Sequence, residues 1–399
     1  MTGAFDKTRL TRMHEVMAGH AERGDVPGLV WLVARRGEVD AGVAGTMGEP
    51  AAVPVAQDTI FRISSMTKPV TAVATLILAE ECRIRFDEPV DPFLPELADR
   101  HVLARPGATI DDTVPADRPI TLQDLLTFRM GIGMDFAAAG PQPVLAALGE
   151  LGLGSGPPAP AGPPAPEEWM RRLGTVPLEY QPGARWLYHT SADVLGVLVA
   201  RVAGQPLETF LSERVFEPLG MKDTGFAVPA AELGRFGPCF FTNPGTGAND
   251  TYDPADGQWA RSPAFPSGGA GLVSTIADYA AFAEMLRAGG TFRGERLLSR
   301  PSVDAMITNH LTPEQVAEAG PEPSGATGFG YGVGVQIRRD GPTRSLGTYG
   351  WDGGLGSSWA NDPTEDLIGI LLTNQAWTSP APPAVATDFW TCAYAAIAD

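Results

Sequence analysis

A serine and a lysine close the four-residue run Ser65-Met66-Thr67-Lys68. On a helix, positions i and i+3 share a face about one turn apart, which brings the amine beside the hydroxyl. A hydroxyl is a poor nucleophile until a base takes its proton. An ammonium is no base, but burial among apolar groups disfavours the charged form and lowers a lysine's pKa. The chain has only three lysines, Lys7, Lys68 and Lys222, and one of them stands at the mouth of its longest apolar stretch, Pro69 to Ala79. That position makes chemical sense if Lys68 helps to activate Ser65. Backbone N–H groups at the helix start could stabilise a developing oxyanion. Alone, the motif is short, and a capping serine with a snorkelling lysine fits it too.

The helix must sit in a chain large enough to bury it. The 399 residues allow a sizeable core and more than one lobe. A net charge of -18 repels phosphate backbones and anionic membranes, so neither nucleic acid nor membrane is an expected partner. Cys82, Cys239 and Cys392 are far apart and show neither a disulfide framework nor metal-ligand spacing. The N-terminal residues read as an amphipathic helix without an apolar signal core, and Pro69–Ala79 is too short to span a bilayer. A cytoplasmic location is the default expectation.

Hydrophobic periodicity predicts a first helix over about residues 6 to 23, with Met13, Val16 and Met17 inward. Two strands with a turn near Arg36-Gly37 come next. Ser64 or Ser65 can start the following helix, where Pro69 is tolerable in the first turn. Thr121 is a plausible N-cap for a short helix. Residues 140–166 change composition, and the Pro/Gly-rich second half reads as an exposed loop or flap. Two helices broken at Gly204-Gln205-Pro206 follow, then an irregular stretch over 235–268. A further helix reads as capped by Ser274 and ended by Gly289-Gly290. Four strands over about 331–374 and a last helix over about 384–397 complete the chain. The expected fold is α+β. An antiparallel sheet built from residues 1–70 and 260–399 is flanked by helices, and a mostly helical lobe, 71–259, is inserted. The active site falls between the two.

Five ordered blocks turn the short motif into a specific one. They are "DTIFRISSMTKPVTAVATLILAEE", "ITLQDLLTFRMGIG", "LEYQPGARWLYHTSADVLGVLVARVAGQPLETFLSERVFEPLGMKDTGF", "FPSGGAGLVSTIADYAAF" and "YGWDGGLGSSWANDP". Together they resemble the serine β-lactamase and penicillin-binding-protein superfamily, and within it the class C-like family VIII carboxylesterases. The resemblance implies a β-lactamase/transpeptidase-like fold and a covalent acyl-enzyme, with no metal or organic cofactor. Carried over by position, Ser65 resembles the nucleophile, Lys68 its basic partner and Tyr188 the second-motif tyrosine. A positive Lys68 near Tyr188 would favour phenolate, and which of the two holds the proton stays open. The N–H groups of Ser65 and Gly354 correspond to the oxyanion hole, and Gly268 and Gly269 to a wall of the pocket.

The departures from the pattern indicate the substrate. Thr190 stands where β-lactamases commonly carry an asparagine that holds a substrate amide. Trp351, beside Gly353, replaces the cationic residue of K-T-G, and Asp352 is expected to point away from both. Both changes favour neutral esters over carboxylate-bearing β-lactams and peptides. Phe128 and its neighbours depart from L-L-T-H-T-S-G and leave that wall open. The expected activity is therefore a serine carboxylesterase for small neutral acyl esters. Acyl transfer through the same intermediate, as in the related statin-making acyltransferases, and β-lactamase or D-alanyl-peptidase activity are the alternatives. No G-x-S-x-G elbow or H-E-x-x-H is present, and His14, His20, His101, His189 and His310 read as surface or core residues.

Overall fold

The computed structural model describes residues 3–48, 52–138, 140–154, 156–319 and 324–398. Near the N-terminus, strands β1 (Gly28–Arg35) and β2 (Glu38–Gly45) form a hairpin. Its two turn residues, Arg36 and Gly37, have φ of 48° and 82°. Positive values at both centres give a turn whose twist matches that of the strands. Five strands come from the other end of the chain: β3 (Thr327–Phe329), β4 (Gly334–Gln336), β5 (Tyr349–Gly353), β6 (Ser357–Asp362) and β7 (Leu367–Thr373). Every pairing is antiparallel, in the order β3-β4-β5-β6-β7-β1-β2. The seam between the chain ends is the β1–β7 ladder, with Leu29 opposite Thr373 and Arg35 opposite Leu367.

Strand alternation decides what covers each face. Leu29, Trp31, Val33, Leu367 and Leu371 pack with Met13 and Met17 of α1 (Lys7–Glu22) and with Phe389 and Trp390 near the C-terminus. Val30, Ile368, Ile370 and Leu372 turn to the opposite core. The second face is covered in part by α4 (Ile276–Arg287), whose Tyr279 and Phe282 meet Trp359 of β6 edge-on. The C-terminal α5 (Ala384–Ala395) completes the first face. Two helices lie deeper. In α2 (Thr67–Glu80) every residue from Thr67 through Leu78 is buried, and α2 packs along α3 (Thr190–Ala203). A helix apolar on all sides belongs in a core.

Several local expectations need correction. Neither Ser64 nor Ser65 caps α2. Both lie in a 3-10 turn, Ser64–Met66, and the Ser64 carbonyl accepts from the Thr67 hydroxyl at 2.7 Å. Ser274 does not cap α4 either, because it pairs with Phe61 in a two-residue ladder. The next residue, Thr275, takes the cap and accepts from the Asp278 N–H. Within 235–268, Cys239–Thr242 and Asn249–Asp253 form a hairpin. In the proline- and glycine-rich region a helix, Pro143–Glu150, buries Val144 and Leu148. The loop beyond it is tied down at Pro158, whose carbonyl accepts from the Tyr252 hydroxyl. Among the described residues no single helix is long and apolar enough to cross a membrane.

The Cys239–Asp253 hairpin is fastened to the segment just before Ser65. The Arg62 guanidinium donates to Asp253 Oδ2 at 3.0 and 2.5 Å and to the Gly237 carbonyl at 2.8 Å, and both side chains are buried. Removing one partner would leave a buried charge uncompensated. Asp253→Ala should therefore lower the unfolding free energy by about 3–5 kcal/mol, read by urea denaturation. A loss below about 1 kcal/mol would show that solvent or the carbonyls satisfy Arg62 unaided.

Candidate active site

The 3-10 turn places Ser65 just ahead of α2 and Lys68 in its first turn. Ser64 accepts a φ of 47° to make this entry. The Lys68 amine lies 3.0 Å from Ser65 Oγ, 2.7 Å from the Gly269 carbonyl and 3.2 Å from His189 Nδ1. Lys68 is 1% exposed. Burial holds its pKa down to about 7, against the pull of the Asp193 carboxylate, which raises it. The amine is thus poised between its two forms near neutrality, with its lone pair within reach of the Ser65 proton.

Tyr188 enters from the residue pair before α3. Its backbone exchanges hydrogen bonds with Met134, and its ring lies against Phe128, Phe136, Trp186 and Trp351. Burial pushes the phenol up to about 12, while hydrogen bonds with Ser65 and Trp351 pull the other way. Lys68 Nζ sits 4.4 Å from the ring centre, over the ring face. The question the sequence left open, which of Lys68 and Tyr188 holds the proton, thus meets two opposite shifts, the phenol raised and the amine lowered by burial. Both shifts favour a phenol at Tyr188 and a neutral amine at Lys68.

Trp351 on β5 donates its indole N–H to the Tyr188 hydroxyl at 3.0 Å. A neutral donor thus stands where the resembled motif has a cation. Asp352 turns aside and accepts from the Ser358 hydroxyl at 2.5 Å. Gly353 lies close against the turn that carries Ser65. A Cβ there would come within 2.3 Å of the Ile63 carbonyl, so glycine is needed for the strand to approach. Gly353 thus packs on protein instead of opening toward a substrate. Gly354, by contrast, would meet nothing within 4 Å. Thr190 is buried as the first residue of α3.

Two groups escaped the sequence reading. His189, taken as a surface or core residue, touches Lys68 through Nδ1, and its Nε2 lies 3.1 Å from Asp193 Oδ2. The one available signal was the i,i+4 spacing of His189 and Asp193 on a helix start. Phe136 was not singled out; it is 45% exposed and lies 5.2 Å, centre to centre, from the Tyr188 ring. Phe128, the open wall, is buried behind Tyr188 against Trp186 and Phe329.

The beta-lactamase family profile matches residues 13–387. The chain belongs to the beta-lactamase family. Among curated relatives of this family, Protein Rv1367c of Mycobacterium tuberculosis (strain ATCC 25618 / H37Rv) is 37% identical over 331 residues, 81% of this chain and 79% of the relative. Esterase EstB of Burkholderia gladioli is 32% identical over 377 residues, 89% of this chain and 88% of its own. Among solved structures, EstCE1, a hydrolase with promiscuous acyltransferase activity, superposes with a TM-score of 0.79 at 25% identity, covering 97% of this chain and 99% of that one. The β-lactamase/transpeptidase-like fold follows from these matches.

Two predictions come from the geometry. A base must be unprotonated to accept a proton, so ester turnover should rise with pH through a limb near 7, where Lys68 loses its proton. A kcat profile flat from pH 5 to 9 would remove Lys68 from that role. Trp351→Phe keeps an aromatic ring, though a smaller one, and loses the N–H. The expected result is a fall in kcat of about tenfold with an unchanged melting temperature, the worth of one hydrogen bond.

Proposed function

We propose that this protein is a serine carboxylesterase acting on small neutral acyl esters through a covalent acyl-enzyme, in the manner of the family VIII carboxylesterases. The observation that carries the reading is the neutral Trp351 indole holding the Tyr188 hydroxyl, beside a serine whose buried lysine partner lies 3.0 Å from its hydroxyl. A carboxylate-bearing substrate meets no cation there; a neutral ester needs none. The relatedness to Esterase EstB supports an ester as the substrate.

In this reading Ser65 Oγ attacks the ester carbonyl while its proton passes to Lys68. The N–H groups of Ser65 and Gly354 bind the tetrahedral oxyanion. Tyr188, as a phenol, donates a proton to the leaving alcohol and is reprotonated from the Lys68 ammonium through the Ser65 position. Water then repeats the sequence in reverse and frees the acid. Trp351 and Phe136 line the side of the pocket nearest Tyr188, and Thr190 stands at the start of α3 beside the motif. We also propose the division into a sheet lobe, 1–70 and 260–399, and a mostly helical lobe, 71–259. Ser65, Lys68, Trp351 and Gly354 come from the first and Tyr188 from the second. An alcohol in place of water would make the same intermediate an acyl donor, the activity named for EstCE1.

Purified protein assayed on p-nitrophenyl butyrate and on a chromogenic cephalosporin tests the proposal, with Ser65→Ala as control. The expected outcome is rapid ester cleavage, little cephalosporin opening, and loss of both with Ser65→Ala. Tyr188→Phe should lower kcat by about 10²- to 10⁴-fold with little change in stability. Efficient cephalosporin hydrolysis would move the protein to the lactamase side of its family.

A further inference from the structure

The second motif contains a backbone conformation that its residue types do not favour. His189 has φ 83° and ψ −64°, and the Thr190 N–H donates to the Tyr188 carbonyl at 3.3 Å. This is the geometry of the rarer, strained γ-turn, here occupied by a bulky residue. The strain has a visible result. It aims the imidazole back into the protein, with Nδ1 at the Lys68 amine and Nε2 at Asp193.

Each atom of Asp193 is accounted for. Its Oδ1 accepts from the Ser267 hydroxyl at 2.6 Å and from the Gly269 backbone N–H at 3.0 Å. Its Oδ2 faces His189 Nε2. Burial opposes the Asp193 charge, but His189, Ser267 and Gly269 outweigh it and hold the carboxyl below its ordinary range. A carboxylate can only accept, so the ring proton belongs on Nε2 and Nδ1 is left as an acceptor. Burial, helped by Lys68, lowers the pKa of the imidazole against the pull of Asp193. The same loop closes the cluster from above, where a side chain at Gly269 would come within 3.1 Å of the ring.

A neutral Lys68 amine has two N–H bonds and one lone pair. Two fixed acceptors, the Gly269 carbonyl and His189 Nδ1, take the two N–H bonds, and the third direction is Ser65 Oγ. We propose that the His189–Asp193 pair is a positioning dyad that turns the Lys68 lone pair onto the Ser65 proton. His189 exchanges no proton with substrate. In the acylation step the Ser65 O–H bond breaks, its proton forms the third N–H bond of Lys68, and the oxygen electron pair bonds to the acyl carbon as the carbonyl π pair moves to its oxygen; that pair then returns as the bond to the alcohol oxygen breaks and the alcohol leaves with a proton from Tyr188. The charged and titratable groups around Lys68 are Ser65 on its own segment, Tyr188, His189 and Asp193 at the start of α3, and from the Ser267–Gly271 loop only neutral groups; Asp352 on β5 acts on Tyr188.

The inference rests on the serine-esterase reading, and the experiment separates the two. Turnover of p-nitrophenyl butyrate is measured from pH 5 to 9 for the parent protein and for Ser65→Ala, Asp193→Asn, His189→Ala and His189→Asn. In Asp193→Asn the backbone N–H of Gly269 keeps the amide oxygen in place, so the NH2 faces His189 Nε2. The ring then carries its proton on Nδ1 and takes the lysine lone pair away from Ser65. The plateau kcat should fall by about tenfold to a hundredfold at near-constant KM, and the limb should move to lower pH because a charge that favours the ammonium is gone. His189→Ala should fall similarly. His189→Asn should recover most of the loss, since its amide oxygen can occupy the Nδ1 position. A plateau within about threefold of the parent and an unmoved limb in Asp193→Asn would overturn the dyad, as would equal losses in the two His189 variants. If Ser65→Ala keeps turnover, the esterase reading itself fails. If Ser65→Ala is inactive while the dyad variants match the parent, only this inference fails.

Discussion

An amine sealed from water beside a serine hydroxyl is the constraint on which the rest of the architecture turns. An ordinary lysine is protonated at neutral pH by more than three units and cannot act as a base. Only desolvation brings Lys68 down to about 7, and desolvation requires α2 to be buried on all sides. That requirement explains the unusually apolar helix, its packing along α3 and the closure of the 267–271 loop over its first turn. It also explains why polar partners are few and fixed. A buried amine without acceptors would be costly, and the Gly269 carbonyl and His189 supply them.

The sheet performs the complementary task. Its β5 strand brings Trp351 to the Tyr188 oxygen, and Gly353 allows the strand to lie against the turn that carries Ser65. Because β1 and β7 join the two chain ends, residues separated by almost three hundred positions meet. Ser357 on β6, for example, donates to the Ile63 carbonyl at 2.9 Å. The ion pair between Arg62 and Asp253 holds the approach to Ser65 from the other side. Ser65 and Lys68 on one turn and Tyr188 just before α3 are thus held together by distant parts of the chain, as the preorganised catalysis we propose demands.

What the sequence disclosed follows from which interactions are local. The α2 helix, the β1–β2 hairpin and the four late strands carry strong periodicity or turn chemistry, and they could be read directly. The S-x-x-K spacing places Lys68 by Ser65 whatever the tertiary structure. Helix starts were less legible: a short ladder to Phe61 made Ser274 extended and passed the cap of α4 to Thr275. The Cys239–Asp253 hairpin was hidden because it depends on Arg62, far away in sequence. The role of His189 was hidden for a different reason. Its side chain points inward only because its backbone adopts a positive φ, which no propensity of histidine forecasts. Proton positions were also out of reach. Whether Tyr188 is phenol or phenolate depends on its burial and on the direction of one indole N–H, neither of which spacing encodes.

Protonation of Lys68 is the central claim, and the chain offers a direct way to measure it. With three lysines in all, protein labelled with ¹³C at lysine Cε gives a spectrum simple enough to follow through a pH titration, and Lys68→Arg identifies the resonance of interest. The account predicts that this resonance titrates around neutral pH, near the value of about 7 set by burial. A Lys68 resonance that titrates at about 10.4, the value of a solvated lysine, would contradict it.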